Sequence, residues 1–379
     1  EPAMTTMEPM EAPAPTSLPE LPRTSARIAR VCGGSEPLGA LLERLVGVSA
    51  RGLVPMYDRE QRSFVHCLRR RENGRIAPEG HSLRYSAITL LGLRWLDVAW
   101  QREILAGATA QDLAASVVER AVTSDDLGDA ALCAWAGYEL GAEGASRALD
   151  RALALEKAQA SPFTVEIAWL VAALAAAPGG RREGTARRVA HRLLEGFSAR
   201  SRVFPHRVGE PRSGLRTHVA CFADQVYPIQ ALARLHRRYG ADRALEAASA
   251  CAAQICEAQG DGGQWWWHYD ARTGAVVEGY PVYSVHQDAM GPMCLFDLED
   301  AGGPAYTDAV QRGLLWMQQA PELGRSLIDD DANVIWRKVA RIGPNKAMRA
   351  VRAATSRVHE DLRLRFLDPA FPPRSVDWE

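Results

Sequence analysis

The chain has only three lysines, Lys157, Lys338 and Lys346, so 42 of its 45 basic residues are arginine. With abundant alanine, that bias marks a GC-rich genome and speaks to source rather than chemistry. There is little net charge. A formal value of −1 excludes the global basic field that drives non-specific nucleic-acid binding, so nucleic acid is not an expected partner. There is no Cys-x-x-Cys pair. The seven cysteines are scattered, odd in number and set mostly in apolar helical contexts, and they read as reduced core thiols of a cytoplasmic protein. The nearest approach to a zinc pair is His218-x-x-Cys221, which lacks evident partners and reads as a buried thiol beside a polar histidine. No apolar run reaches about eighteen residues, so no transmembrane helix is expected. The first 22 residues hold six prolines and four glutamates. They lack the basic start and apolar middle of a signal peptide, and residues 1–25 are expected to form a disordered tail.

What is present is helical periodicity. With 47% hydrophobic and 24% charged residues over 379 positions, the chain can bury a substantial core. From about residue 36, apolar residues recur at three- and four-residue spacing with little sustained alternation. The pattern predicts helices over 36–48, 84–101, 110–121, 126–140, 144–155, 162–176, 182–199, 218–238, 242–258, 281–298, 304–319 and 346–360. One set, represented by Ala130–Leu140 and Val165–Ala176, is apolar nearly all round and belongs inside. The other, represented by Asp112–Arg120 and Thr185–Phe197, carries arginine and glutamate on one face and belongs outside. Buried and amphipathic helices taking turns describe repeated helical hairpins, which must stack to cover their apolar faces. Curving the stack into a closed ring removes its ends.

In this alternation the chain resembles the α/α-toroid superfamilies: the six-hairpin glycosidases and epimerases on one side, the terpenoid cyclases and protein prenyltransferases on the other. The resemblance spans roughly residues 40–320, and its sharpest local element is Gln259-x-x-x-Gly263-x-Trp265, present once. That element matches a triterpene-cyclase repeat, but similar Gly-Gly-Trp turns occur in sugar-acting toroids, so it supports the ring more than any chemistry. The expected architecture is all-α: a barrel of about six helical hairpins over residues 26–335, with a basic helical C-terminal extension at 336–379.

The densest cluster of chemistry lies between Gln259 and Asp288. Trp265, Trp266, Trp267, His268, Tyr269 and Asp270 are followed by Tyr280, Tyr283, His286 and Asp288, too many partly polar aromatics for a plain core. They read as a pocket wall. In toroids of this kind the pocket forms at one mouth, where inner helices begin. That family expectation adds Arg84, Tyr85, Glu166, Trp169, Asp224 and Tyr227, which lie near predicted inner-helix starts. Glu166, His268, Asp224, His286 and Asp288 are the candidate acid and base groups. Glu166 sits one turn inside an apolar helix and shares a face with Trp169, a setting that favours a neutral carboxyl. In a regular helix Tyr283 and His286 share a face, whereas Asp288 joins them only if Gly291-Pro292 distorts the segment. Asp125, Asp126 and Asp129 spell the carboxylate set that holds magnesium in class I prenyl-diphosphate enzymes. Here they open a helix and read as an N-cap with an acidic first turn. Ile328-Asp-Asp-Asp331 reads as a solvated loop.

A pocket both aromatic and strongly polar suits sugars, whose C–H faces stack on rings while charged groups address hydroxyls. The expected function is therefore a carbohydrate-active hydrolase, lyase or epimerase without a cofactor. The alternative is an isoprenoid enzyme, with magnesium at Asp125, Asp126 and Asp129, and a second alternative is a non-catalytic helical-repeat binding protein. The partner is a small molecule, sugar or isoprenoid. The basic run through 337–365 is by default a solvated helix, and it could also meet an anionic surface.

Overall fold

A computed structural model of the chain describes residues 26–209, 214, 216–343, 345–359, 362 and 364–377. The expected tail at 1–25 lies outside these residues, as do Glu360, Asp361 and Arg363 of the basic run. The helices are α1 (Ala26–Cys32), α2 (Glu36–Leu53), α3 (Leu83–Leu93), α4 (Val98–Ile104), α5 (Ala110–Val122), α6 (Leu127–Leu140), α7 (Ala145–Ala158), α8 (Thr164–Ala176), α9 (Glu183–Glu195), α10 (Ala223–Tyr239), α11 (Asp242–Glu257), α12 (Gly291–Asp300), α13 (Thr307–Gln318) and α14 (Asn345–Val358).

The inner and outer sets follow the apolar pattern. On α8 every residue from Glu166 to Ala175 is buried, and on α6 every residue from Leu127 to Gly137 except Asp129. On α9 only Ala186, Val189, Ala190 and Leu193 are buried, one stripe at the helical repeat. α3, α6, α8, α10 and α12 pack side by side in that order, with α5, α7, α9, α11 and α13 behind them. The ring is closed by the N-terminal helices: α1 packs on α2 and α13, and α2 packs on the hairpin of β8 and β9 defined below. The fold is an α/α toroid.

Helix ends follow local chemistry. Asp126 caps α6 by accepting the Asp129 N–H at 2.8 Å, and Gly141 ends it with φ +65°, a conformation that a residue with a Cβ adopts only with strain. The segment predicted as one helix over 84–101 is two, because Asp97 caps a fresh helix by accepting the Trp100 N–H at 2.8 Å.

Strands are short: β1 (Tyr57–Asp58), β2 (Ser63–Arg70), β3 (Ile76–His81), β4 (Val219–Cys221), β5 (His268–Asp270), β6 (Val276–Glu278), β7 (Val282–Tyr283), β8 (Ile328–Asp329), β9 (Val334–Ile335), β10 (Lys338–Ala340) and β11 (Ser375–Asp377). Among the described residues they form antiparallel sheets of at most three strands, ordered β1-β2-β3, β4-β5-β6, β11-β10-β7 and β8-β9. Two predicted helix starts are thus strands. Val219-Ala220-Cys221 pairs with His268–Asp270 before α10 begins, and Val282–Tyr283 pairs with β10 ahead of a π-helical turn at His286–Met290. Short apolar runs of this kind carry no periodicity that separates strand from helix.

The C-terminal extension is bound to the ring. Besides the β7–β10 pairing, α14 packs on β6. Much of its positive charge is already paired: Arg337 and Lys338 with Asp377, and Arg341 and Arg352 with Glu278 and Asp368.

Candidate active site at the mouth of the ring

The starts of the inner helices converge at one end. Arg84, on the first turn of α3, reaches Asp126 at 2.6 Å and Asp129 at 3.2 Å at the start of α6. Its guanidinium lies 5.2 Å from the ring centre of Trp169 on α8, and Trp169 meets Tyr227 of α10 edge-on at 5.1 Å. The carboxylates of the Asp-Asp-x-x-Asp run do not converge on one point. Asp125 pairs with Arg151, Asp126 caps α6 and binds Arg84, and Asp129 binds Arg84.

Glu166 lies on the first turn of α8. Its Oε2 accepts the Phe163 N–H at 3.1 Å, the return half of a capping box, and Oε1 has no protein partner among the described residues. Burial pushes this carboxyl up from its ordinary value, the Phe163 N–H pulls it back, and Asp126 raises it further. Phe163 itself stacks under Arg207 at 3.5 Å and beside His206 at 4.9 Å. His206 Nδ1 is 2.9 Å from Oδ2 of Asp224, and that hydrogen bond raises the imidazole's affinity for its proton. Asp224, on the first turn of α10, is fully buried and also accepts the Cys221 N–H at 2.8 Å.

The aromatic run supplies the opposite wall, and its three tryptophans go three ways. Trp265 is fully buried, stacked on Phe222 at 6.0 Å. Trp266 meets Tyr280 edge-on at 5.8 Å, and the Tyr280 hydroxyl donates to Glu322 at 2.7 Å. Trp267 faces the mouth: it stacks on His268 at 4.1 Å, meets Tyr283 at 5.1 Å and lies under Arg349 at 5.0 Å. Tyr85, on α3, is exposed and borders a cleft of about 460 Å³ that runs past His66 to Ser284, Val285 and Arg337.

Tyr269 and Asp270 are sealed in the interior, Asp270 in a two-pronged pair with Arg272 at 2.8 and 3.0 Å. His218 turns away from Cys221 and sits 3.0 Å from the Ser356 hydroxyl. His286 lies between Phe222 at 4.5 Å and Tyr283 at 5.2 Å, so the expected Tyr283–His286 face forms. Burial drives His268 and His286 down to about 3, which keeps both rings neutral. Asp288 sits in the π-helical turn, half-buried, with Oδ1 shielded from water and without a hydrogen-bond partner among the described residues, and desolvation lifts its carboxyl to about 7. The Gln259 element is structural. Its side-chain amide donates to the Gly263 and Ala309 carbonyls at 2.6 and 2.9 Å, locking the turn before Trp265 onto α13.

A cavity of about 1010 Å³ opens at the other end of the ring, among Arg94, Glu139, Arg234 and Asp297 near the ends of α3, α6, α10 and α12. It runs inward to Tyr227, which separates it from Trp169 and the mouth. Its central arginine, Arg234, is paired to Glu139 and to Asp297 at 2.6 Å each, whereas Glu166 at the mouth keeps one oxygen without a protein partner among the described residues.

Several mouth residues are not among the site candidates read from the sequence: His206, Arg207, Phe163 and Arg349, the last named only as part of the basic run. His206 and Arg207 follow Pro205 in a loop without periodicity, and Arg349 is one arginine among many on α14. The sequence marks none of them as converging.

No protein-family model and no curated protein sequence matches the chain. Among solved structures, the chain is similar to the crystal structure of an unsaturated glucuronyl hydrolase specific for heparin, with a TM-score of 0.52 and 11% sequence identity over 86% of this chain and 98% of that one. At that identity the likeness bears on the fold.

Proposed function

We propose that the protein is a carbohydrate-active enzyme that takes an acidic sugar at the mouth and acts on it by proton transfer from Glu166. The observation that carries this reading is the repeated pairing of an arginine with an aromatic face: Arg84 over Trp169 and Arg207 over Phe163 beside that carboxyl, and Arg349 over Trp267 on the wall built by the aromatic run. An aromatic face takes the C–H side of a pyranose, and a guanidinium beside it takes a carboxylate or sulfate. The solved neighbour, by its own description, is a glucuronyl hydrolase specific for heparin, which agrees with a uronate-bearing substrate.

In this scheme Glu166 keeps its proton to higher pH because burial disfavours the charged form, and its free Oε1 delivers that proton to the substrate. Asp224 with His206, which packs on the same Phe163, forms the complementary ionisable group. The test is a panel of saturated and unsaturated uronate disaccharides and their neutral counterparts, followed by loss of the unsaturated chromophore and by product chromatography. Turnover of an acidic sugar by the wild type, abolished in Glu166→Gln with the helical spectrum unchanged, is the expected result. Wild-type rates in Glu166→Gln would overturn the assignment.

A further inference from the structure

The geometry points to a zinc-class metal site at the mouth, built from His206, Cys221 and Asp224, two of which the sugar reading uses as its second ionisable group. One ligand atom from each of the three lies within 4.8 Å of the others. They arrive from three segments: the loop after Pro205, the end of β4 and the first turn of α10. Two are rigidly placed. Cys221 is held in the ladder opposite His268, and its N–H donates to Asp224 Oδ2 at 2.8 Å.

Asp224 supplies the second observation. Its side chain is fully buried, yet Oδ1 has no hydrogen-bond partner among the described residues. A shielded carboxylate oxygen without a partner carries an uncompensated desolvation cost, which a bound cation removes. The donor set selects the cation. One sulfur, one imidazole nitrogen and one carboxylate oxygen suit zinc and its neighbours, whereas magnesium and calcium want oxygen donors throughout.

Zinc bonds of about 2.0–2.3 Å in a tetrahedron space their donor atoms by roughly 3.3–3.8 Å, so separations near the 4.8 Å limit must close while His206 Nδ1, now 2.9 Å from Asp224 Oδ2, moves off that oxygen. His206 can make that movement. Its side chain is about half exposed, on a loop, while the other two ligands sit on regular structure. Binding converts the Cys221 thiol to thiolate, its proton passing to solvent. When Nδ1 takes the metal, His206 is left neutral with its remaining proton on Nε2, and no electron moves. Three protein ligands leave a fourth position open, the arrangement that distinguishes a site able to hold water from a closed structural one.

The test uses the full chain stripped with chelator and titrated with zinc chloride alone against a chromophoric indicator, then with cobalt chloride. One equivalent of zinc and a thiolate-to-cobalt charge-transfer band are expected. Cys221→Ser should abolish the band and weaken zinc binding at least tenfold, His206→Ala should weaken it similarly, and Cys32→Ser should change neither. No stoichiometric zinc uptake, a cobalt spectrum without the thiolate band, or undiminished zinc binding in Cys221→Ser would each overturn the site. If Cys221→Ser fails to fold, the wild-type cobalt spectrum decides alone. No sugar turnover enters these readouts, so failure of the metal site is distinguishable from failure of the substrate assignment, which rests on Glu166.

Discussion

Glu278 holds Arg341 at 3.0 Å with both side chains almost wholly shielded from water. The same carboxylate takes Arg352 of α14 at 2.9 Å, so one buried acid on β6 fastens two points of the C-terminal segment. Removing one partner of such a buried set strands charge that has no water to solvate it. Glu278→Ala is expected to cost about 3–5 kcal/mol of stability, read from the denaturant midpoint, with faster amide exchange across α14. An unchanged midpoint would show that the pair is worth no more than a surface contact.

Trp265 and Gly313 set two rules against each other. A glycine inside α13 should gain about 1 kcal/mol when replaced by alanine, on helix propensity alone. A Cβ at position 313, however, would lie 2.7 Å from Cζ3 of the fully buried Trp265 ring. The rigid indole cannot retreat, so Gly313→Ala is expected to destabilise by about 1–3 kcal/mol in thermal unfolding. A rise in melting temperature would mean that the ring has room.

Asp288 and the two buried histidines pull the pH dependence of stability in opposite directions. The Asp288 carboxyl is raised from 3.8 to about 7, so stability that it contributes at low pH is lost as pH rises through that window. His268 and His286 are lowered from 6.5 to about 3, so their contribution is present above 6.5 and lost as pH falls through that interval. Asp288→Asn removes only the first effect. The variant should be more stable than wild type at about pH 8 and lose stability more steeply down to about pH 5, measured as melting temperature across the range. Parallel profiles would place the Asp288 carboxyl at its ordinary value.

Arg84→Met leaves the Trp169 face in place and removes the guanidinium above it. Loss of one charge-assisted contact should raise KM for an acidic sugar about tenfold or more, with a smaller change in kcat and little effect on neutral sugars. Equal loss on charged and neutral substrates would make Arg84 a scaffold residue that serves Asp126 and Asp129.

Helix positions were legible wherever an apolar stripe ran uninterrupted. The reading of 110–121 became Ala110–Val122, and 242–258 became Asp242–Glu257. It went wrong where polar punctuation or pairing intervened: Asp97 as a cap inside an apparent helix, and Val219-Ala220-Cys221 as a strand whose partner lies nearly fifty residues on. The mouth was legible through its inner-helix residues, Arg84, Glu166, Trp169 and Asp224, because helix starts converge in a toroid whatever the loops do. Proximity of His206 to Asp224, or of Arg349 to Trp267, is set by tertiary placement of a loop and of α14. Neither leaves a trace in local periodicity. Three adjacent tryptophans looked like one wall, yet successive side chains in extended backbone point to different sides, and only Trp267 reaches the mouth.

The seam of the ring joins segments that lie far apart in the sequence. Arg27 pairs with Asp297 and Asp300, Arg44 with Asp330, and Arg51 with Asn333, each across 270 or more residues. Hairpins α5 to α11 can stack on one another as they emerge from the ribosome, since each finds its partner next door in sequence. α1 and α2 cannot be covered in that way. Their apolar faces wait through most of synthesis for α13 and the β8–β9 hairpin, so the nascent ring passes through an open arc whose flank is the place for a chaperone, or for a second unfinished copy, to attach.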